Sequence, residues 1–186
     1  AFDTSSSYCS IALWIDGEIL SRSILAEQQH SELFLPILQE LLAKSELTLA
    51  QLDGIAFGAG PGSFTGLRIA CGVAQGLAFG SGLPVIGIST LEALAQQAGA
   101  NNVITAIDAR MGEIYYAAYI KSADNWENVS TPILCLPRYA PLMTGDNWVG
   151  CGSGFDKYSD ELKNHYGSSI SRFELGFFPH AREMAQ

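Results

Sequence analysis

Residues 9–20 read CSIALWIDGEIL, in which Ile11, Leu13 and Ile15 alternate with Ala12 and Trp14 before the pair Asp16-Gly17. Period-two alternation ended by Asp-Gly predicts a β-hairpin. The pattern returns in residues 106–120, AIDARMGEIYYAAYI, where Ile114, Tyr116, Ala118 and Ile120 alternate with Tyr115, Ala117 and Tyr119. Laid over the opening AFDTSSSYCSIALWI, this stretch sets Ala106 on Ala1, Asp108 on Asp3, Ala117 on Ala12 and Ile120 on Ile15. A repeat at about half the chain length predicts two duplicated lobes, because solenoid repeats are shorter. The break is expected in AQQAGANN, residues 95–102, giving an N-terminal lobe of residues 1–100 and a C-terminal lobe of residues 101–186 that is cut short at its end.

Three helices are predicted between the hairpins. In HSELFLPILQELLAK the apolar residues Leu33, Phe34, Leu35, Ile37, Leu38, Leu41 and Leu42 spread over roughly 200° at about 100° per residue. That arc is too wide for one neighbouring surface, so the helix is expected to be sandwiched or covered by another chain. Pro36 predicts a bend or a late first turn. In FTGLRIACGVAQGLAFG the small residues Gly66, Ala70 and Ala74 lie on one face, and Gly66, Gly72 and Gly76 are interior, each costing about 1 kcal/mol relative to Ala. Close packing against another helix is the expected compensation. In STLEALAQQ, Ser89 and Glu92 form a capping box at a helix start. The strands LDGIAF and LPVIGIS flank the second helix, a β-α-β unit of a mixed α/β fold.

The second helix follows a glycine-rich turn, GAGPGSFTGLRIA at residues 58–70, and its spacing can be tested against nucleotide motifs. A P-loop needs a lysine that is missing between Lys44 and Lys121. The G-x-G-x-x-G pattern runs into Ser63 from Gly58 and into Thr65 from Gly60. The nucleophile elbow G-x-S-x-G fails at Ser63 and at Ser153. What remains is a strand, a tight turn and a helix that Ser63 can cap, with free backbone amides able to take an anion. His30, His165 and His180 are too far apart in sequence for an i, i+4 metal pair, and His30 reads as a capping or interface residue. The pair Asp160 and Glu161 reads as a solvated helix face. Asp3 and Asp108 are the constellation worth retaining, each where a strand runs into a turn. They either face a cleft or bond the backbone of their own turns.

Charge and composition narrow the partners. Ten basic residues against nineteen acidic ones, net −9, with no Lys or Arg run, exclude a chain that grips nucleic acid by itself. Cys9, Cys71, Cys135 and Cys151 form no C-x-x-C pair and read as reduced thiols, fitting a reducing cytoplasm. No run approaches the roughly 20 apolar residues of a membrane span.

Taken together, GPGSFTGLRI, FDTSSSYCSIAL, HSELFLPILQELL, PVIGISTLEALA and IDARMGEIYYAAY resemble the TsaB (YeaZ) family of the bacterial tRNA threonylcarbamoyladenosine pathway. The resemblance runs in order through about the first 120 residues and continues weakly as VGCGSGF. It implies an α/β, actin-like and Hsp70-like ATPase (ASKHA) fold of two related lobes, each with a mixed sheet and helices. It also implies a degenerate paralogue of TsaD, the subunit that transfers threonylcarbamoyl to adenosine 37 of tRNA. TsaD holds a metal through an H-x-x-x-H pair after a strand like PVIGIS; the corresponding positions here are Thr90 and Leu94. The resemblance therefore implies a non-catalytic chain without cofactor or metal. If nucleotide binds at all, the candidates are Asp3, Thr4, Ser63 and Asp108.

The implied role is to bind a TsaD-type ligase subunit and stabilise its active form, together with a TsaE-type ATPase. Such a chain would meet tRNA only through the complex and would self-associate as a homodimer when alone. The family contact uses the two N-lobe helices, here residues 31–44 and 64–79. The interface is thus expected at Leu33, Phe34, Ile37, Leu38, Leu41, Gly66, Ile69, Ala70, Val73 and Ala74. A final helix returning to the first lobe is a family feature beyond the present sequence. An ATPase or peptidase of the same fold stays open as the alternative, as does a sugar-kinase-like module, against which the missing phosphate motifs count.

Overall fold

A computed structural model describes residues 1–123 and 125–186. The chain divides into two compact units, Ala1–Ala93 with Pro179–Gln186, and Leu94–Phe178. The last residues, placed in the C-terminal lobe by the sequence pattern, thus pack on the first unit.

The first unit is built on a five-stranded sheet of order β3-β2-β1-β4-β5, from β1 (Phe2–Asp3), β2 (Tyr8–Ile15), β3 (Glu18–Leu25), β4 (Ile55–Gly60) and β5 (Val85–Ser89). Asp16 and Gly17 both take positive φ, 49° and 90°, the backbone that a two-residue hairpin turn demands. They set Ile15 opposite Glu18. β1 runs antiparallel to β2 and parallel to β4. β4 and β5 are parallel, joined across α2 (Phe64–Ser81).

One face of this sheet offers Phe2, Cys9, Ile11 and Leu13 to α1 (His30–Lys44) and α2. Phe34, Ile37, Leu38 and Leu41 of α1 are buried there, Leu33 and Leu42 are partly buried against the same core, and Leu35 is exposed. Most of the wide apolar arc is therefore used inside the unit. α2 turns Gly66, Ala70 and Ala74 inward. The close approach at Gly66 is to the β1–β2 turn: a Cβ there would collide with the Thr4 carbonyl. A Cβ at Gly62 would come within 2.8 Å of Ser5. α3 (Thr90–Ala98) follows β5, with the Ser89 hydroxyl accepting from the Glu92 amide at 3.4 Å, the Ser89 half of the expected capping box. A short α6 (Ala181–Met184) packs on β1–β4.

The second unit repeats the plan. β6 (Asn102–Arg110), β7 (Glu113–Ser122), β8 (Asn125–Cys135), β9 (Trp148–Cys151) and β10 (Ile170–Glu174) form a sheet of order β10-β9-β6-β7-β8. β6 pairs antiparallel with β7 and parallel with β9, as β1 does with β2 and β4. The duplication read from the two hairpins recurs as strand order and direction. The register differs by one residue: Asp3 faces Ser10, whereas Asp108 faces Ile114 beside an irregularity between Asp108 and Arg110. The core gathers Ile104, Ile114, Tyr116 and Trp148 under Phe155 of α4 (Ser153–Lys157) and Leu162 and Tyr166 of α5 (Ser159–Tyr166). The Tyr116 and Tyr166 hydroxyls both donate to the Pro141 carbonyl, at 3.1 and 2.8 Å.

The two kinds of glycine in α2 should behave oppositely. Gly66→Ala must force the turn and helix apart, and is expected to cost about 3 kcal/mol, a fall in Tm of roughly 5–10 °C. Gly76 meets nothing within 4 Å, so Gly76→Ala should stabilise the free chain by about 1 kcal/mol. Thermal unfolding of the two variants checks both signs.

Candidate functional site

The glycine turn and the β1–β2 turn fill one another. Ser63 caps α2 by accepting from the Gly66 amide at 3.4 Å, and its own amide donates to the Ser5 carbonyl at 2.8 Å. The Thr4 hydroxyl donates to the Gly66 carbonyl at 2.7 Å. Thr90 Oγ1, fully buried, donates to the Pro61 carbonyl at 2.5 Å. The helix start that could take an anion is thus already packed with carbonyls and hydroxyls of the same unit.

Asp3 and Asp108 share one local device. Each accepts, through Oδ1, from the backbone amide two residues on: Ser5 at 3.0 Å and Arg110 at 3.0 Å, an Asx-turn in both copies. Ser5 Oγ adds a second bond to Asp3 Oδ1 at 2.9 Å. Their surroundings then diverge. Asp108 receives Lys157 Nζ at 2.9 Å and Tyr158 OH at 3.1 Å, and its own amide donates to Ser153 Oγ. Burial acts to raise the Asp108 carboxyl, but the Lys157, Arg110 and Tyr158 bonds together hold it below its ordinary value. Asp3 is wholly buried with Oδ2 unpartnered, and that burial lifts its carboxyl to about 7 against the two Ser5 bonds.

Among the described residues no group of three or more His, Cys, Asp and Glu could hold a metal ion. Leu94 is fully buried and its carbonyl faces Cys151 Sγ at 3.5 Å. His30 donates from Nε2 to the Ser6 carbonyl at 2.9 Å at the start of α1, and His165 donates to Ala140 at 2.7 Å. His180 Nδ1 meets Ser23 Oγ at 3.1 Å. The four cysteines are free, with Cys9 pushed up to about 11 by burial and by the Asp3 charge. No described helix is long and apolar enough to cross a membrane. A cavity of about 560 Å³ opens beside Trp14, Leu52, Asp53 and Ile86, and none of the expected site residues lines it.

The outer face of α2 is left uncovered by the unit. At about 100° per residue, Phe64, Arg68, Gly72, Gln75 and Phe79 fall opposite the buried Gly66, Ala70 and Ala74. Phe79 is 95% and Phe64 68% exposed. Gly72 and Gly76 have open space around them, and the Arg68 guanidinium lies 3.8 Å over the Phe64 ring. Of the residues expected at an interface, Phe34, Ile37, Leu38, Leu41, Gly66, Ala70 and Ala74 are buried inside the unit. Leu33, Ile69 and Val73 are partly exposed. Sequence reasoning passed over Phe64, Arg68 and Phe79; the signal available for them was an apolar residue at each end of a helix whose other side carries the small residues.

A family model described as TsaD, tRNA N6-adenosine threonylcarbamoyltransferase, matches residues 21–139. The chain is 43% identical over 185 residues to a Haemophilus influenzae protein named tRNA threonylcarbamoyladenosine biosynthesis protein TsaB, covering 92% of this chain and 78% of that one. It is 41% identical over 169 residues to the Escherichia coli protein of the same name, covering 86% and 73%. Two Pseudomonas aeruginosa structures, one described as uncharacterized with similarity to peptidase YeaZ and one as YeaZ, superpose with TM-scores of 0.91 and 0.89. Both are 35% identical and are matched over 98% of this chain and 86% of theirs. With its two five-stranded sheets, filled glycine turn and this degree of identity, the chain belongs to the TsaB (YeaZ) family.

Proposed function

We propose that this chain serves tRNA threonylcarbamoyladenosine biosynthesis as a non-catalytic subunit that binds a TsaD-type ligase subunit and holds it active, with a TsaE-type ATPase joining the pair. The observation that carries the reading is the outer face of α2. It keeps glycines in a helix interior where nothing touches them and sets two exposed phenylalanines beside them. A second helix can approach such a surface closely, its backbone lying over Gly72 and Gly76 and its side chains against Phe64 and Phe79. Leu33, Ile69 and Val73 extend the contact at its edge. The names of the relatives support the pathway, and the TsaD-type match supports a partner of the same fold. The turn packed with the chain's own carbonyls, and Thr90 and Leu94 where the resemblance would set metal ligands, support a binding role over a chemical one. The same face accounts for a homodimer when the ligase subunit is absent, since a related chain and a second copy offer similar helices.

Reconstituted modification of tRNA by TsaD, TsaE and the adenylate-forming enzyme should require this chain. Phe79→Glu is expected to weaken its binding to TsaD at least tenfold while leaving the Tm of the isolated chain within about 1 °C, since surface changes fall within ±0.5 kcal/mol. Gly76→Ala should weaken the complex although it stabilises the free chain. Unchanged affinity for both variants in calorimetric titration would remove α2 as the docking face.

A peptidase reading has one observation in its favour, the Ser23–His180 pair at 3.1 Å. Ser23 lies within β3 at the edge of its sheet, and burial lowers the His180 imidazole's affinity for a proton. Highly purified protein is expected to release no product from a fluorogenic peptide series; turnover abolished by Ser23→Ala would establish the enzyme instead.

A further inference from the structure

From Gly54 to Leu91 the chain carries one charged side chain, Arg68. It stands exposed on the outer face of α2, in a chain of net charge −9, and among the described residues no carboxylate forms an ion pair with it. Its guanidinium lies 3.8 Å over the centre of the Phe64 ring. A guanidinium held on an aromatic ring uses its flat side, and its N–H donors stay at the edge, fixed in direction and available.

The surroundings decide what can answer those donors. Gly72, Gly76 and Phe79 beside Arg68 make the surface that a second helix can approach closely. A cation covered there loses its water, which is strongly unfavourable unless the incoming surface pairs with it. A carboxylate does so by taking two N–H groups at once. A nucleic-acid phosphate has similar oxygens, but binding through phosphates needs clustered positive charge, and Gly54–Leu91 supplies no second cation.

A second copy of the chain does not offer that acid from the same helix. Phe64–Ser81 contains no Asp or Glu, so two α2 helices laid face to face bring two guanidinium groups and no carboxylate. On α1, Glu40 already bonds Arg22 and Lys44 at 2.9 and 2.7 Å, which leaves Glu32. We infer that Arg68 is the residue by which α2 selects its partner: it pairs with an Asp or Glu on the docking helix of the ligase subunit, and the lack of that acid makes a second copy the weaker occupant. This inference rests on α2 being the docking face.

Arg68→Gln in the full chain tests it, with calorimetric titration of the ligase subunit and sedimentation equilibrium of the chain alone. Binding to the ligase subunit is expected to weaken about tenfold to a hundredfold and to lose most of its salt dependence, while self-association is no weaker than before. Glu32→Gln should leave self-association unchanged. Affinity for the ligase subunit that survives Arg68→Gln, self-association that falls equally, or self-association lost in Glu32→Gln would each overturn the selection. So would tRNA binding by the free chain that Arg68→Gln abolishes, since the anion would then be a phosphate. Phe79→Glu separates the two levels: if it weakens the complex and Arg68→Gln does not, only the role of Arg68 falls, whereas if neither variant matters the docking face falls with it.

Discussion

The contact between the β1–β2 turn and the first turn of α2 organises the first unit. β1 is two residues long yet sits mid-sheet between β2 and β4, so its own ladder is too short to fix it. Its position is set by the turn at its C-terminal end. Asp3 folds the chain back by binding Ser5, Thr4 bonds to Gly66, and Ser5 bonds to Ser63. All of this requires that the helix present no side chain at Gly66 and the loop none at Gly62. The two missing Cβ atoms let a helix, a turn and a strand share one space.

The two copies show how a repeated device acquires different uses. Asp3 and Asp108 bend the chain in the same manner, but Lys157 and Tyr158 bond the second carboxylate, whereas the first has Ser5 on Oδ1 and leaves Oδ2 unpartnered. The bonds to Asp108 hold its carboxyl below its ordinary value, while burial lifts the Asp3 carboxyl to about 7. The difference lies in what surrounds each turn: in the second unit the end of α4 brings Lys157, while in the first Oδ2 faces the backbone of β4 at Gly58.

The duplicated hairpins, the Asp-Gly turn, the Ser89 cap and the order of elements were legible because each rests on local chemistry: alternation, positive φ, a hydroxyl three residues ahead of an amide. The strand order of either sheet was not, since pairing partners are chosen by burial across long separations. Nor was the direction of the small residues in α2. Gly66, Ala70 and Ala74 imply close approach by something, and a helix is the usual guest; at Gly66 the structure gives the place to a turn, while Ala70 and Ala74 join the core shared with α1. The arc of α1 left open whether the helix is sandwiched or covered by another chain, and the structure uses most of it inside the unit. A helix lying across a twisted sheet and touching its neighbour α2 buries more than one stripe, and only Leu35 remains well exposed among the residues that made the arc too wide.

The two sides of α2 differ in what they return to the fold. On the inner side, glycine and alanine allow contacts that offset what they cost in backbone entropy. On the outer side Gly72 and Gly76 touch nothing, so their cost of about 1 kcal/mol each is not recovered within the chain, and Phe79 leaves an apolar ring in water. A sequence under pressure only to fold would replace all three, and alanine at either glycine suffices to improve the free molecule. Keeping them makes sense when the stability withheld from the monomer is returned on contact with another surface. On that argument rests the proposal that the outer face of α2 serves assembly, beside an inner turn filled by carbonyls and hydroxyls of the same unit.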